Sequence, residues 1–100
     1  MKPPQSFYEF TLQFHQDLDL VYPDWSTTPH GRDEIYEGFA MRYGTQAVAE
    51  LSEFMGALLV NREADLGSLW FNESKADLII QDEGVRFLFK DFLSWAASQS

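Results

Sequence analysis

Apolar residues recur at helical spacing along most of this chain, and that periodicity constrains its fold more than any other feature. The clearest stretch runs from Gln46 to about Asn61, where one face carries Val48, Leu51, Phe54, Met55, Leu58 and Leu59. Residues three and four positions apart share a face of an α-helix, so the pattern predicts an amphipathic helix packed on a core. One hundred residues, 45% of them hydrophobic, suit one core, and we expect residues 1–100 to form a single domain.

The same periodicity predicts further helices, whose ends are marked by capping residues and turn formers. Their expected ranges are about Gln5 to Gln16, Thr28 to Tyr43, Glu63 to Phe71, and Asp82 to Ala97. The expected caps are Ser6 with Glu9 as a capping box, Thr28 before Pro29, Thr45, and Asp82, with Gly44 as a terminator. The run Ala76 to Ile80 fits a strand, an extended loop or a helix. The predicted fold is therefore all-α, a bundle of about five helices.

One long segment, Asp17 to Pro29, lacks helical periodicity and contains turn signals at Pro23-Asp24 and Ser26-Thr27-Thr28-Pro29. It nevertheless carries the apolar residues Leu18, Leu20, Val21, Tyr22 and Trp25. We therefore expect a long loop that packs down on the bundle. For Trp25, anchoring in the core is favoured over an exposed contact role, and Trp70 and Trp95 lie on helical stripes that predict burial.

Charge is unevenly distributed along the chain. Sixteen Asp and Glu face seven Lys and Arg, which gives a net charge of −9. Between Pro3 and Gly31 there is no Lys or Arg, although four acidic residues lie there: Glu9, Asp17, Asp19 and Asp24. Such a surface repels phosphate backbones and anionic membranes and favours a basic partner, so we expect no direct contact with nucleic acid or membrane. The alternative is that the acidity serves solubility alone.

The remaining basic residues are scattered among acidic ones, as on solvated helical surfaces; they are Arg32, Arg42, Arg62, Lys75, Arg86 and Lys90. In the last helix, this pattern predicts that Arg86, Lys90 and Asp91 face outward.

The localisation expected from the sequence is cytoplasmic. There is no Cys, which excludes disulfides and thiolate sites and favours a reducing compartment. The N-terminus lacks the apolar run of a signal peptide, and no segment approaches the roughly 20 apolar residues of a membrane span.

Residues suited to catalysis are scarce, and no nucleophile elbow, phosphate-binding loop or dinucleotide fingerprint occurs. One cluster, His15, Asp17 and Asp19, has the donors for a metal or an acid–base site. Three ligands from five contiguous residues leave coordination incomplete, so the favoured interpretation is that His15 and Asp17 satisfy backbone groups where the first helix ends. We expect neither catalysis nor a cofactor.

The run Phe14-His15-Gln16-Asp17-Leu18-Asp19-Leu20 follows the aromatic segment Ser6-Phe7-Tyr8-Glu9-Phe10 and precedes Tyr22-Pro23-Asp24-Trp25. In this first quarter, and in its length and helical layout, the chain resembles a family of bacterial immunity proteins. These belong to contact-dependent growth inhibition and related polymorphic toxin systems. The resemblance implies a small cytosolic protein that binds and neutralises the C-terminal toxin domain, often a nuclease, of a specific secreted effector.

The charge pattern supports a basic partner independently, because a nuclease presents a positive surface to phosphates and an acidic protein can occupy it. We expect an acidic contact face around the loop and the second helix, formed by Asp19, Asp24, Glu34 and Glu37, with Tyr22 or Trp25 as an anchor. The motif residues Phe14, His15, Gln16 and Asp17 are expected to serve the fold. The alternative function is an acidic cytosolic protein-interaction adaptor or regulatory subunit.

Overall fold

The computed structural model describes residues 2–99, which form an all-helical bundle. Within that range the order is α1 (Gln5–Thr11), α2 (Leu18–Val21), α3 (Pro29–Tyr43), α4 (Thr45–Leu59), α5 (Leu66–Glu73) and α6 (Asp82–Ser98). The predicted all-α fold is confirmed. The described range holds six helices where about five were expected, because α2 forms inside the segment predicted to be a loop.

The bundle closes around aromatic side chains contributed by α1, α3 and α6. Phe10 lies at the centre, with its ring centroid 5.2–6.1 Å from four others, those of Phe14, Tyr36, Phe39 and Phe92. Each such aromatic pair adds about 0.5–1.5 kcal/mol beyond the area that it buries. The predicted burial of Trp70 and Trp95 is confirmed, with 1% and 7% of each exposed.

The first helix ends at Thr11, five residues before its predicted end at Gln16. The Thr11 hydroxyl donates to the Tyr8 carbonyl at 2.9 Å, and the N–H groups of Gln13 and Phe14 bond only three residues back. The same hydroxyl accepts from the Lys75 N–H at 2.9 Å, which ties the turn to the segment after α5. The prediction was too long because Phe14 stays buried in this turn and so continues the apolar spacing.

Thr28 caps α3 as predicted, accepting from the Gly31 N–H at 3.2 Å, with Pro29 as the first helical residue. Gly44 ends α3 as predicted, with a φ of 92° that glycine adopts without a steric penalty. The predicted cap at Thr45 is wrong, because Gly44 is also the N-cap of α4 and Thr45 lies in the first turn.

Two other predicted caps serve different partners. Ser6 does not close a capping box with Glu9; its hydroxyl donates to Glu50 of α4 at 2.8 Å. Asp82 lies inside α6, and Gln81 is the N-cap there. The Asp82 carboxylate instead accepts from the Leu66 N–H at 2.8 Å, so it caps the neighbouring helix α5.

Helix α5 begins three residues later than predicted because Asp65 is its N-cap, accepting from the Ser68 N–H at 2.9 Å. The run from Ala76 to Ile80, which the sequence left open, is neither helix nor strand. It passes over the core and accepts the Trp70 indole N–H at the Leu78 carbonyl, 2.9 Å away.

Candidate partner-binding surface

The predicted motif residues hold the chain in place between α1 and α2. The Phe14 ring is fully buried, and its carbonyl accepts from the Asp77 N–H at 3.0 Å. The Gln16 N–H donates to the Asp77 carboxylate, also at 3.0 Å. His15 Nδ1 accepts from the Asp17 N–H at 3.2 Å, and the Asp17 carboxylate itself is exposed.

Trp25 is half-buried and is held on three sides. Its ring meets the Phe14 ring edge-on with centroids 5.5 Å apart, and its indole N–H donates to Asp19 at 2.8 Å. Its carbonyl accepts from the Arg32 guanidinium at 3.2 Å. Gly31 permits this approach, since a Cβ there would lie 2.8 Å from the Trp25 Cα. Trp25 therefore packs against the core with its polar edge directed to an exposed acid.

A buried polar network links α3 to α6 beneath this loop. Arg32 is only 6% exposed, and its Nε donates to Asp91 Oδ2 at 2.8 Å. Tyr36 donates its hydroxyl to the same oxygen at 2.8 Å. Burial is the largest cause, and this hydrogen bond the second largest, of a pKa of the Tyr36 hydroxyl that lies far above its ordinary value. The prediction that Asp91 faces outward is wrong, and so is the expectation of a solvated Arg32.

Arg86 is a second arginine used inside the fold. Its Nε donates to Asp82 at 2.8 Å, and its Nη2 donates to the carbonyls of Ala64 and Arg62 before α5. The prediction of an outward Arg86 is therefore wrong, whereas Lys90 is exposed as expected.

We define the acidic segment as residues 17–37, which contain α2, the loop after it and the first half of α3. All four predicted acidic contact residues are exposed there, namely Asp19, Asp24, Glu34 and Glu37. Arg32 is the one Lys or Arg that the sequence places in this segment, and Asp91 neutralises it. The acidic segment consequently exposes carboxylates with no exposed Lys or Arg among them.

The predicted contact residues do not all meet at one point. Asp19 is joined to Trp25 by a hydrogen bond, and Tyr22 beside them is half-buried. Glu34 lies 3.1 Å from His30 Nε2, one turn along the helix. Glu37 borders a groove where α3, α4 and α6 meet, whereas Trp25 lines a separate, smaller hollow.

The groove beside Glu37 was missed by sequence reasoning and has a volume of about 680 Å³. Its apolar lining comes from three helices: Ala40, Met41, Val48, Ala49, Trp95 and Ala96. No single helical pattern reveals such a groove, because it exists only where small side chains from separate elements face one another.

The alternative metal cluster does not form. Across residues 2–99, no three His, Asp or Glu side chains converge to hold a metal ion, so His15, Asp17 and Asp19 do not form the metal-binding cluster that the sequence allowed. Nor does any helix in that range combine the length and apolar character needed to cross a membrane.

Comparison with known proteins adds no relative: no protein-family model, curated protein or solved structure matches the chain. The resemblance to immunity proteins therefore stays a prediction from the sequence, based on the motif in its first quarter and on its length and helical layout.

Proposed function

We propose that this protein is an immunity protein of a contact-dependent growth inhibition or related toxin system, and that it binds and neutralises a basic toxin domain, of nuclease type. The observation that carries the proposal is the acidic segment. Five of its six carboxylates are exposed, and its single arginine is buried against Asp91. The motif from Phe14 to Leu20, which resembles that family, overlaps the start of the same segment.

Charge complementarity explains how such a protein would act without catalysis. A nuclease needs a positive surface to hold phosphates, and exposed carboxylates can occupy that surface in their place. Opposite charges also accelerate encounter, towards 10⁸–10⁹ M⁻¹s⁻¹ as an order of magnitude at low salt. Because such a toxin acts on nucleic acid inside the cell, the proposal places the protein in the cytoplasm.

The direct test is co-expression with the C-terminal domain of the secreted protein encoded by the neighbouring gene. We expect survival of cells that die when they express that domain alone, and a complex that can be purified from them. A wild-type protein that gives neither survival nor a complex would show that the immunity function is wrong. A role as an adaptor or regulatory subunit would then be favoured.

A charge-matched pair of variants tests the acidic segment within this function. One variant carries Asp24→Asn, Glu34→Gln and Glu37→Gln, three exposed residues of the segment. The control carries the same charge change outside the segment at three other exposed residues, Glu53, Glu63 and Glu83, each replaced by Gln. We expect the first variant to slow association with the toxin domain at least about tenfold more than the control at low salt. Equal effects would mean that only net charge matters. Asp19 is left unchanged because it holds Trp25.

A further inference from the structure

The groove between α3, α4 and α6 has the composition of a binding site. Its volume of about 680 Å³ falls in the range of roughly 300–1,000 Å³ that is typical of ligand sites. Its floor includes Trp95, and small side chains on three helices leave the space above it: Ala40, Ala49 and Ala96.

The groove is open to solvent along one side, and this favours a protein segment over a small molecule. Half of its lining residues are exposed, namely Glu37, Met41, Thr45, Ala49 and Gln99. A small ligand is held by burying most of its own surface, which an open groove does not achieve. An amphipathic helix needs only its apolar face covered, and an exposed, flexible Met such as Met41, 88% exposed, suits such a contact.

The polar groups at the groove indicate the chemistry of the occupant. Among residues 2–99, Glu37 is the one ionisable residue that lines the groove, so a cationic group is complementary. A second copy of the chain, with its own net charge of −9, is not. The Trp95 indole N–H and the Ser52 hydroxyl are buried without a hydrogen-bond partner in the described part of the chain. Both residues line the groove, but the two polar atoms are themselves buried, so Glu37 is the group that specifies the charge of the occupant.

We propose that this groove receives an amphipathic, cation-bearing helix of a protein partner, whose apolar side chains cover Trp95 and Val48 and whose Lys or Arg pairs with Glu37. The identity of that partner rests on the proposed function: in an immunity protein it is the toxin domain. The groove lies beside Glu37, so it continues the acidic segment into an apolar anchor site. The acidic segment then steers the partner by charge, and the adjoining groove anchors it by burying its apolar side chains.

The indole N–H signals of the three tryptophans report in a ¹H–¹⁵N NMR spectrum whether a peptide occupies the groove. Trp25 donates to Asp19 and Trp70 donates to the Leu78 carbonyl, whereas Trp95 has no acceptor among residues 2–99. The probe is a synthetic helical peptide of Leu and Lys, about 14 residues long, with Leu at one face. We expect it to shift the Trp95 indole signal before those of Trp25 and Trp70. A peptide with Glu in place of Lys should leave all three unchanged.

A matched pair of substitutions on α4 separates groove binding from general attraction to an acidic protein. Ala49→Phe fills the groove, whereas Ala57→Phe places the same side chain at an exposed alanine two turns away, outside it. We expect Ala49→Phe to lower the affinity for the Leu–Lys peptide at least about tenfold and Ala57→Phe to change it less than about twofold. The effect of Glu37→Gln should lie between the two. The remaining backbone signals report whether each variant is folded.

Several outcomes would overturn the proposal. The proposal fails if the Leu–Lys peptide leaves the Trp95 signal unmoved, if the Glu peptide moves it equally, or if Ala49→Phe binds the Leu–Lys peptide as tightly as the wild type does. A Trp95 shift that depends on protein concentration without peptide would assign the groove to a second copy instead.

Binding of the toxin domain provides a further test. If the wild type binds that domain and Ala49→Phe binds it equally well, the groove proposal fails while the immunity function stands. If the wild type does not bind that domain, the immunity function fails, and the groove proposal is then tested by the peptides alone.

Discussion

Arg32 Nε donates to Asp91 Oδ2 across 2.8 Å and so joins α3 to α6 beneath the acidic segment. The arginine side chain is 7% exposed and the aspartate side chain 21%, so water screens the pair only in part. Tyr36 donates to the same oxygen, and the guanidinium also contacts the face of the Phe87 ring, 4.8 Å from its centroid. The pairing with Asp91 removes the positive charge of Arg32 from the surface. Arg32 also fixes the loop by donating to the Trp25 carbonyl.

Loss of Asp91 should therefore destabilise the fold. We expect Asp91→Ala to lower the free energy of unfolding by about 2–4 kcal/mol, because it leaves the Arg32 charge buried without its partner. Lys90→Ala, at the exposed neighbour on the same helix, should change it by less than about 0.5 kcal/mol. Urea denaturation at pH 7 measures both. Equal values for the two variants would contradict a structural role for the pair.

The Tyr36 hydroxyl should make the protein sensitive to alkali. Burial and the hydrogen bond to Asp91 raise its pKa above the ordinary value of 10.0, so above pH 10.0 the unfolded chain releases a proton that the folded chain retains. Stability is thus fully present below pH 10.0 and falls above it, by up to about 1.4 kcal/mol per pH unit from this group. Tyr36→Phe should flatten the fall of the urea midpoint between pH 10 and 11.5. A variant that keeps the wild-type slope would show that other groups cause it.

The helices that the sequence predicted best are those whose apolar rows are long. Each of α3, α4 and α6 has at least 15 residues, and their buried positions repeat at helical spacing. The short α2 escaped prediction because four residues carry too little periodicity. It depends on Leu18, 1% exposed, being held against the rest of the fold. The end of α1 was misplaced because the Thr11 hydroxyl bonds to backbone groups on both sides of the turn.

The buried polar network did have a sequence signal. Arg32 stands three, four and seven residues before the buried row of Ile35, Tyr36 and Phe39, so it lies on the apolar face of α3. Asp91 likewise falls between Leu88 and Trp95 on the buried face of α6. A charge on each of two apolar faces could have indicated a pair. Their mutual contact and the groove depend on helix packing, which periodicity within one helix does not specify.

Two glycines of α3 should respond oppositely to substitution by alanine. A Cβ at Gly31 would lie 2.8 Å from the Trp25 backbone, whereas one at Gly38 meets nothing within 4 Å. We expect Gly31→Ala to destabilise the protein by about 1–3 kcal/mol and to shift the Trp25 indole signal, because the loop must move away. Gly38→Ala should stabilise it by about 0.5–1 kcal/mol through helix propensity. Thermal unfolding with indole NMR provides both readings, and a stable Gly31→Ala variant with an unshifted Trp25 would contradict the close approach.

The contact that Asp82 makes between α5 and α6 should weaken in acid. The hydrogen bond from Arg86, with further ones from the Leu66 and Gly67 N–H groups, lowers the pKa of the Asp82 carboxyl below its ordinary value of 3.8. Its contribution to stability is therefore present above pH 3.8 and is lost as the pH falls through the lower value of the folded state.

We expect Asp82→Asn to lower the urea midpoint at pH 7, because an amide oxygen accepts the Leu66 N–H more weakly than a carboxylate and no longer attracts Arg86. The difference from wild type should shrink at pH 3, which lies below the ordinary pKa of 3.8, because part of the stabilisation by the Asp82 carboxylate is then lost. Glu83→Gln, at the exposed neighbour in the same first turn of α6, provides the control for a lost charge at that helix end. If the two variants had the same midpoint at pH 7, only the charge of the first turn would matter, and the bond from Asp82 to α5 would contribute nothing.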